Sequence, residues 1–176
     1  MKNPLRVVLI GAAIMLSGCT NSLDHYNNTT PQADIKEYFN GNIKAWGVVQ
    51  DWRGRVVNRF DIDMVGKWEG ETGTLTEHFV YYDGKKQERV WTIKKLPDGK
   101  YVGTAADILG QADGQQNGSA VKWVYSMDLP VGETTYRIKF DDWMWQMNDG
   151  VLINRSYLKK FGITVAELSL FMQKQK

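Results

Sequence analysis

"AVKWVYSMDL", residues 120–129, alternates apolar and polar side chains. Val121, Trp123, Tyr125 and Met127 share one face; Lys122, Ser126 and Asp128 share the other. A period of two is that of a β-strand with one buried and one wet face. The pattern recurs in both directions. "RFDIDMV" (59–65) sets Phe60, Ile62 and Met64 against Asp61 and Asp63, and "TLTEHFVYY" (74–82) sets Leu75, Phe79 and Tyr81 on one face with Glu77 among them. "TTYRIKFDDW" (134–143) does the same with Tyr136, Ile138 and Phe140. Turn chemistry separates these runs: Asp51 to Gly54, Asp83-Gly84, Pro97-Asp98-Gly99, Asn117-Gly118, Pro130 to Gly132 and Asn148-Asp149-Gly150.

About eight strands joined in sequence order, without helical crossovers, predict an all-β antiparallel meander. Closing it removes the exposed strand edges, so an eight-stranded up-and-down barrel is the first expectation and a flattened sandwich the second. Two helices are predicted to flank it. "ADIKEYFNG" (33–41) has Ile35, Tyr38 and Phe39 at helical spacing with Gly41 as a stop. "ITVAELSLFMQKQK" (163–176) offers Thr164 as cap, Glu167 three residues on, and Val165, Leu168 and Phe171 or Met172 as a packing face.

The start of the chain carries a different signal. Lys2 and Arg6 precede an apolar run from Val7 to Leu16, and Ser17-Gly18 leads to Cys19, the single cysteine. That layout is a secretory signal, too short for a comfortable transmembrane helix. "LSGCTNS" (16–22) resembles the lipobox of bacterial lipoproteins, in which the thiol is lipidated and the cysteine becomes the new N-terminus. The expected organisation is a signal peptide over 1–18, lipidated Cys19 with a flexible tether over 19–32, and the barrel domain over 33–176. One acyl chain holds a protein only marginally, at ~0.8 kcal/mol per buried methylene, whereas two or three make attachment lasting. Thr20 after the cysteine, by resemblance to envelope lipoproteins, implies the outer membrane, facing the periplasm.

Charge narrows the partners. The formal +2 belongs to Lys2 and Arg6, so the chain from Cys19 onward is neutral. That balance argues against a nucleic-acid partner, which calls for clustered positive charge. Seven tryptophans and eight tyrosines are many for this length, and suit a core, a pocket or a membrane-level belt.

A short N-terminal helix, a meander and Trp46 near the first strand together look like the calycin superfamily, which includes lipocalins, although Lys44 stands where the lipocalin Gly-x-Trp signature has glycine. A closer resemblance is carried by "AWGVVQDWRGRVVNRF" (45–60), "GTLTEHFVYYDGKKQERVW" (73–91), "YVGTAADILGQADG" (101–114) and "FDDWMW" (140–145). These resemble an uncharacterised bacterial lipoprotein family, domain of unknown function 3833. The resemblance implies an envelope lipoprotein with a lipocalin-like barrel, no established activity, and an association with membrane fatty-acid modification.

Chemistry-bearing constellations are few. His25 lies in the tether and His78 in a strand, a poor start for a metal site or a nucleophile–base pair. No nucleophile elbow, phosphate loop or zinc-protease motif is present, and neither a cofactor nor a metal is expected. Alternation sends Asp142 inward with Phe140 and Ile138, and Glu77 inward between Leu75 and Phe79. Arg89 or Arg137 would then be their partners, since an unpaired buried carboxylate is costly. Asp107 and Asp113 lie near glycines but lack calcium-loop spacing, and read as a turn or barrel rim. Trp68, Trp91, Trp123, Tyr125, Trp143 and Trp145 are spread over several strands, and closure would gather several of them in one interior. The leading expectation is therefore a non-enzymatic carrier of a fatty acid or lipid, with Trp68, Trp91, Trp123, Tyr125, Glu77, Arg89, Arg137 and Asp142 as candidate ligand contacts. The alternative is a solid barrel that docks an envelope enzyme or assembly, and a hydrolase or isomerase built on Asp142 and Glu77 ranks third.

Overall fold

Alternating inward and outward side chains draw the chain into ten antiparallel strands in the computed structural model, which describes residues 21–176. They are β1 (Gly41–Asp51), β2 (Val56–Glu69), β3 (Thr72–Tyr81), β4 (Lys86–Lys95), β5 (Tyr101–Thr104), β6 (Ala112–Asn117), β7 (Ala120–Val131), β8 (Thr134–Gln146), β9 (Val151–Lys160) and β10 (Ile163–Lys174). Each pairs with its neighbours in sequence, and β10 returns to pair with β1, so the barrel is closed and up-and-down. The expected signal peptide (1–18) and the expected lipidation site Cys19 lie outside the described residues.

Ten strands replace the expected eight, for two reasons. The predicted C-terminal helix is β10. Ala166, Leu168, Leu170 and Met172 form a period-two face pointing inward, and this competes with the helical spacing of Val165, Leu168 and Phe171. Pairing with both β1 and β9 satisfies the backbone of β10 along its length, a gain that no lone surface helix offers. Glu167, expected in a capping box, instead reaches Arg155 on β9 at 3.7 Å. The second reason is the short pair β5 and β6, within a stretch expected to be turn and rim.

The predicted N-terminal helix shrinks to one turn, α1 (Ile35–Tyr38), with the Asp34 side chain capping Glu37 N–H. No helix among the described residues exceeds a single turn. Within the expected tether, Leu23–Tyr26 forms a 3-10 turn held to the barrel by Asn117, whose amide donates to Leu23 O at 3.0 Å. Thr29 Oγ1 accepts from Ser119 N–H at 2.9 Å.

α1 plugs one end of the barrel. Ile35, Tyr38 and Phe39 are buried there, each contributing roughly 1.5–3 kcal/mol. Trp68 Nε1 donates to Phe39 O at 3.0 Å, and Ile35 N–H donates to Gln116 Oε1 at 3.0 Å. Gly66 permits this approach, because a Cβ there would collide with Phe39 O.

The wall is mainly apolar inside, and its outside mixes ionic clusters with exposed apolar side chains such as Trp46, Val65, Ile153 and Phe171. Lys44, Asp61 and Asp63 meet across β1 and β2, with Lys44 Nζ 3.0 Å from Asp63, and Lys122, Asp141 and Lys159 meet across β7 to β9. A bilayer-spanning barrel carries an unbroken apolar band on its outside, and these ionic clusters interrupt the outer face here. One sector of the wall is thin. β5 covers only Thr92–Lys95 of β4, and the connection over 105–111 fills the remaining space toward β7, where Ile108 bridges to Met127.

A polar cluster inside an apolar barrel

Strand register brings the inward polar residues together. Glu77 on β3 lies directly across from Arg89 on β4, and Asp142 on β8 lies across from Trp123 on β7 and Ser156 on β9. Arg89 is the hub of one half. Its guanidinium is 2.8 Å from Asp107 Oδ2, delivered by the 105–111 connection, and 3.8 Å from Glu77 Oε2. It also lies over the Phe79 and Trp91 rings, at 5.5 and 5.8 Å. Trp91 Nε1 donates to Glu77 Oε2 at 3.3 Å. In the other half, Asp142 Oδ1 accepts from Ser156 Oγ at 2.5 Å and from the Asn154 amide.

Around these groups lies a cavity of about 100 Å³, lined mainly by apolar and aromatic side chains. Trp91, Trp123, Tyr125, Phe60, Phe79 and Leu170 are among them. Water takes up ~30 Å³ per molecule in the liquid, so this space suits a few waters or a small group. Pockets for drug-sized ligands run to roughly 300–1,000 Å³, so a long acyl chain requires side chains to move aside. The interior is thus mostly filled, with a residual cavity at its polar centre.

The electrostatics follow from burial. Desolvation raises Glu77 to about 7, with Arg89 and Trp91 pulling the other way. Desolvation likewise raises Asp142 to about 6, against the opposing hydrogen bonds from Ser156 and Asn154. Tyr125, stacked on Phe140 at 4.8 Å, is pushed well above its ordinary range by burial and by the Asp142 charge. Burial works to lower Arg89, but Glu77, Tyr125 and Asp107 together hold it above its ordinary value. With Arg89 committed to Asp107 and Glu77, Asp142 has no cation within salt-bridge distance among the described residues. Glu77 Oε1 and Asp142 Oδ2 accept no hydrogen bond among the described residues, and both residues line the cavity.

Of the candidate contacts, Glu77, Arg89, Trp91, Trp123, Tyr125 and Asp142 converge on this cavity. Trp68 is inward but serves the plug, with its indole edge on Tyr101 and its N–H on Phe39 O. Arg137 is on the outer wall, where it pairs with Asp128 at 3.0 Å and cannot reach Glu77 or Asp142. Trp143 and Trp145 face outward and stack at 6.4 Å, with Tyr26 of the N-terminal segment against Trp143. His78 is exposed on the outer wall beside Glu88. Among the described residues no group of three His, Cys, Asp or Glu side chains is placed to hold a metal ion.

Asn154, Ser156 and Asp107 join the cluster without having been candidates. The first two are within reach of the sequence, since Leu152, Asn154, Ser156 and Leu158 alternate through "VLINRSYL" (151–158) and share the inward face. Asp107 is not, because its place depends on how the 105–111 connection folds over the thin sector.

No curated protein and no solved structure shows significant similarity to this chain. A family model does match, over residues 13–174, which is nearly the whole sequence. The chain therefore belongs to the family described as Protein of unknown function (DUF3833).

Proposed function

We propose that this protein is an envelope lipoprotein, held at the outer membrane through acyl chains on Cys19, whose barrel binds a small apolar ligand of the fatty-acyl or lipid type at its polar centre. The lipobox-like "LSGC" (16–19) supports the attachment. The ligand reading is carried by one observation: two buried carboxyl groups each present an oxygen without a protein partner to an apolar cavity. Both oxygens face the cavity rather than packed protein, so a donor there comes from a ligand or from water.

This arrangement selects the head of the ligand. Glu77 and Asp142 together outnumber the one guanidinium, which Asp107 already neutralises. A head that donates hydrogen bonds, such as an amine, alcohol or amide, complements them. A free carboxylate would meet like charge and fits only while both acids are protonated. A fatty acid in this site is bound as the neutral acid or as a derivative with its carboxylate masked.

Titration with octylamine, octanol and octanoate, followed by the fluorescence of Trp91 and Trp123, tests the reading. The amine and alcohol should bind at pH 8 at least ten-fold more tightly than octanoate. In the Glu77→Gln, Asp142→Asn double variant that preference should collapse or reverse. Absence of binding by all three, or tightest binding of octanoate at pH 8 by the unaltered protein, would overturn it.

A further inference from the structure

The two ends of the barrel differ in one respect that the interior does not explain. Five connections lie at the end opposite the α1 plug, and each presents an exposed apolar side chain: Trp52, Tyr82, Leu109, Val131 and Phe161. Trp52 is 71% and Phe161 93% exposed. Phe161 also sits at a φ of 51°, a left-handed conformation disfavoured for a bulky residue. Neither packing nor turn propensity accounts for an aromatic ring there.

Cations accompany these rings. Arg53 lies 4.4 Å over Trp52, Arg59 lies 4.8 Å over Tyr82, and Lys160 lies 5.4 Å from Phe161. None of the three is paired with a carboxylate among the described residues, whereas Asp51, Asp83 and Asp128 at this end are already neutralised by Arg55, Lys85 and Arg137. Beside Phe161 a groove of about 570 Å³ runs along the outer wall, lined by Lys122, Arg137, Lys139 and Lys159 with Asp141 as its one acid. Aromatic tips with cations at their base are the composition of a membrane-interface contact, in which rings sit at headgroup level and cations meet anionic lipid.

We propose that this rim docks on an anionic lipid surface, with the tips entering the headgroup layer and the adjacent basic groove facing lipid phosphates. A ring of five separate tips suits a flat surface better than a single groove on a protein. The described chain begins at the plugged end, where Leu23–Tyr26 is held by Asn117, away from this rim.

Residues 21–176 close the barrel and contain its core, so a chain starting at Asn21, free of signal and acyl groups, is a complete unit for the test. Its co-sedimentation with phosphatidylcholine vesicles should rise at least ten-fold when phosphatidylglycerol is included, and fall again as salt is raised. The double variant Trp52→Ser, Phe161→Ser should lose that binding at unchanged thermal stability, since both residues are exposed. Lys139→Glu should weaken it several-fold, while added inorganic phosphate should compete poorly. No binding to anionic vesicles, or equal binding by the double variant, would overturn the proposal, as would full displacement by millimolar phosphate.

Discussion

Raising the pH from 5 to 8 should destabilise this barrel, and Glu77→Gln should remove most of that loss. Glu77 is raised from 4.5 to about 7 and Asp142 from 3.8 to about 6, in both cases chiefly by burial. An acid raised in the folded state binds its proton more tightly there than when unfolded. Its stabilising effect is complete below the unfolded value and is lost as pH climbs through the folded value. A ten-fold difference in proton affinity between the two states corresponds to ~1.4 kcal/mol, so Glu77 accounts for a loss of roughly 3 kcal/mol and Asp142 for roughly 1 kcal/mol between pH 5 and 8. The carboxylates with lowered values, Asp51, Asp83, Asp98, Asp128 and Asp141, act below about pH 4 and leave this window alone. Urea unfolding followed by tryptophan fluorescence would read the difference directly. The unaltered protein should be less stable at pH 8 by roughly 3–4 kcal/mol, and the Glu77→Gln protein by about 1 kcal/mol. A flat profile for the unaltered protein, or the same slope in the variant, would refute the reasoning.

Three further outcomes follow from the same geometry. Gly66→Ala forces a Cβ against Phe39 O and should displace α1, lowering stability by about 2–3 kcal/mol and increasing hydrogen exchange at Ile35–Phe39 in mass spectrometry. Met172→Ala empties a fully buried site on the closing strand and should cost about 2–5 kcal/mol in urea unfolding. Asp107→Asn removes the charge that ties the 105–111 connection to Arg89, and should speed association of octylamine several-fold in stopped-flow fluorescence by loosening that thin sector.

The strands with strict alternation are legible because one face is oil and the other water. The inward positions of Glu77 and Asp142 follow from the same parity, with no knowledge of their partners. β10 imitates a helix because Val165, Leu168 and Phe171 happen to satisfy a helical spacing, while the force that makes the segment a strand is non-local. It is the unpaired edge of β1, more than a hundred residues away in the chain. β5 and β6 are hidden because glycines at 103 and 114 stand where inward side chains would have marked a strand, and the Trp123 ring lies within 3.4 Å of where the Cβ of either would be. The outward turn of Trp143 has a related cause. It is buried, but beneath Tyr26 of the N-terminal segment rather than in the barrel, so hydrophobicity alone gives no direction. Arg137 enters the candidate site through its charge, although its parity already places it on the face of Lys139 and Asp141.

Native mass spectrometry of the protein isolated from the cells that make it, without delipidation, shows whether the centre of the barrel is a binding site. The expected result is a non-covalent small molecule, released on collisional activation, carrying a hydrogen-bond-donating group, and depleted in the Glu77→Gln, Asp142→Asn protein. Polypeptide with no non-covalent adduct, or an adduct retained equally by the double variant, would contradict it.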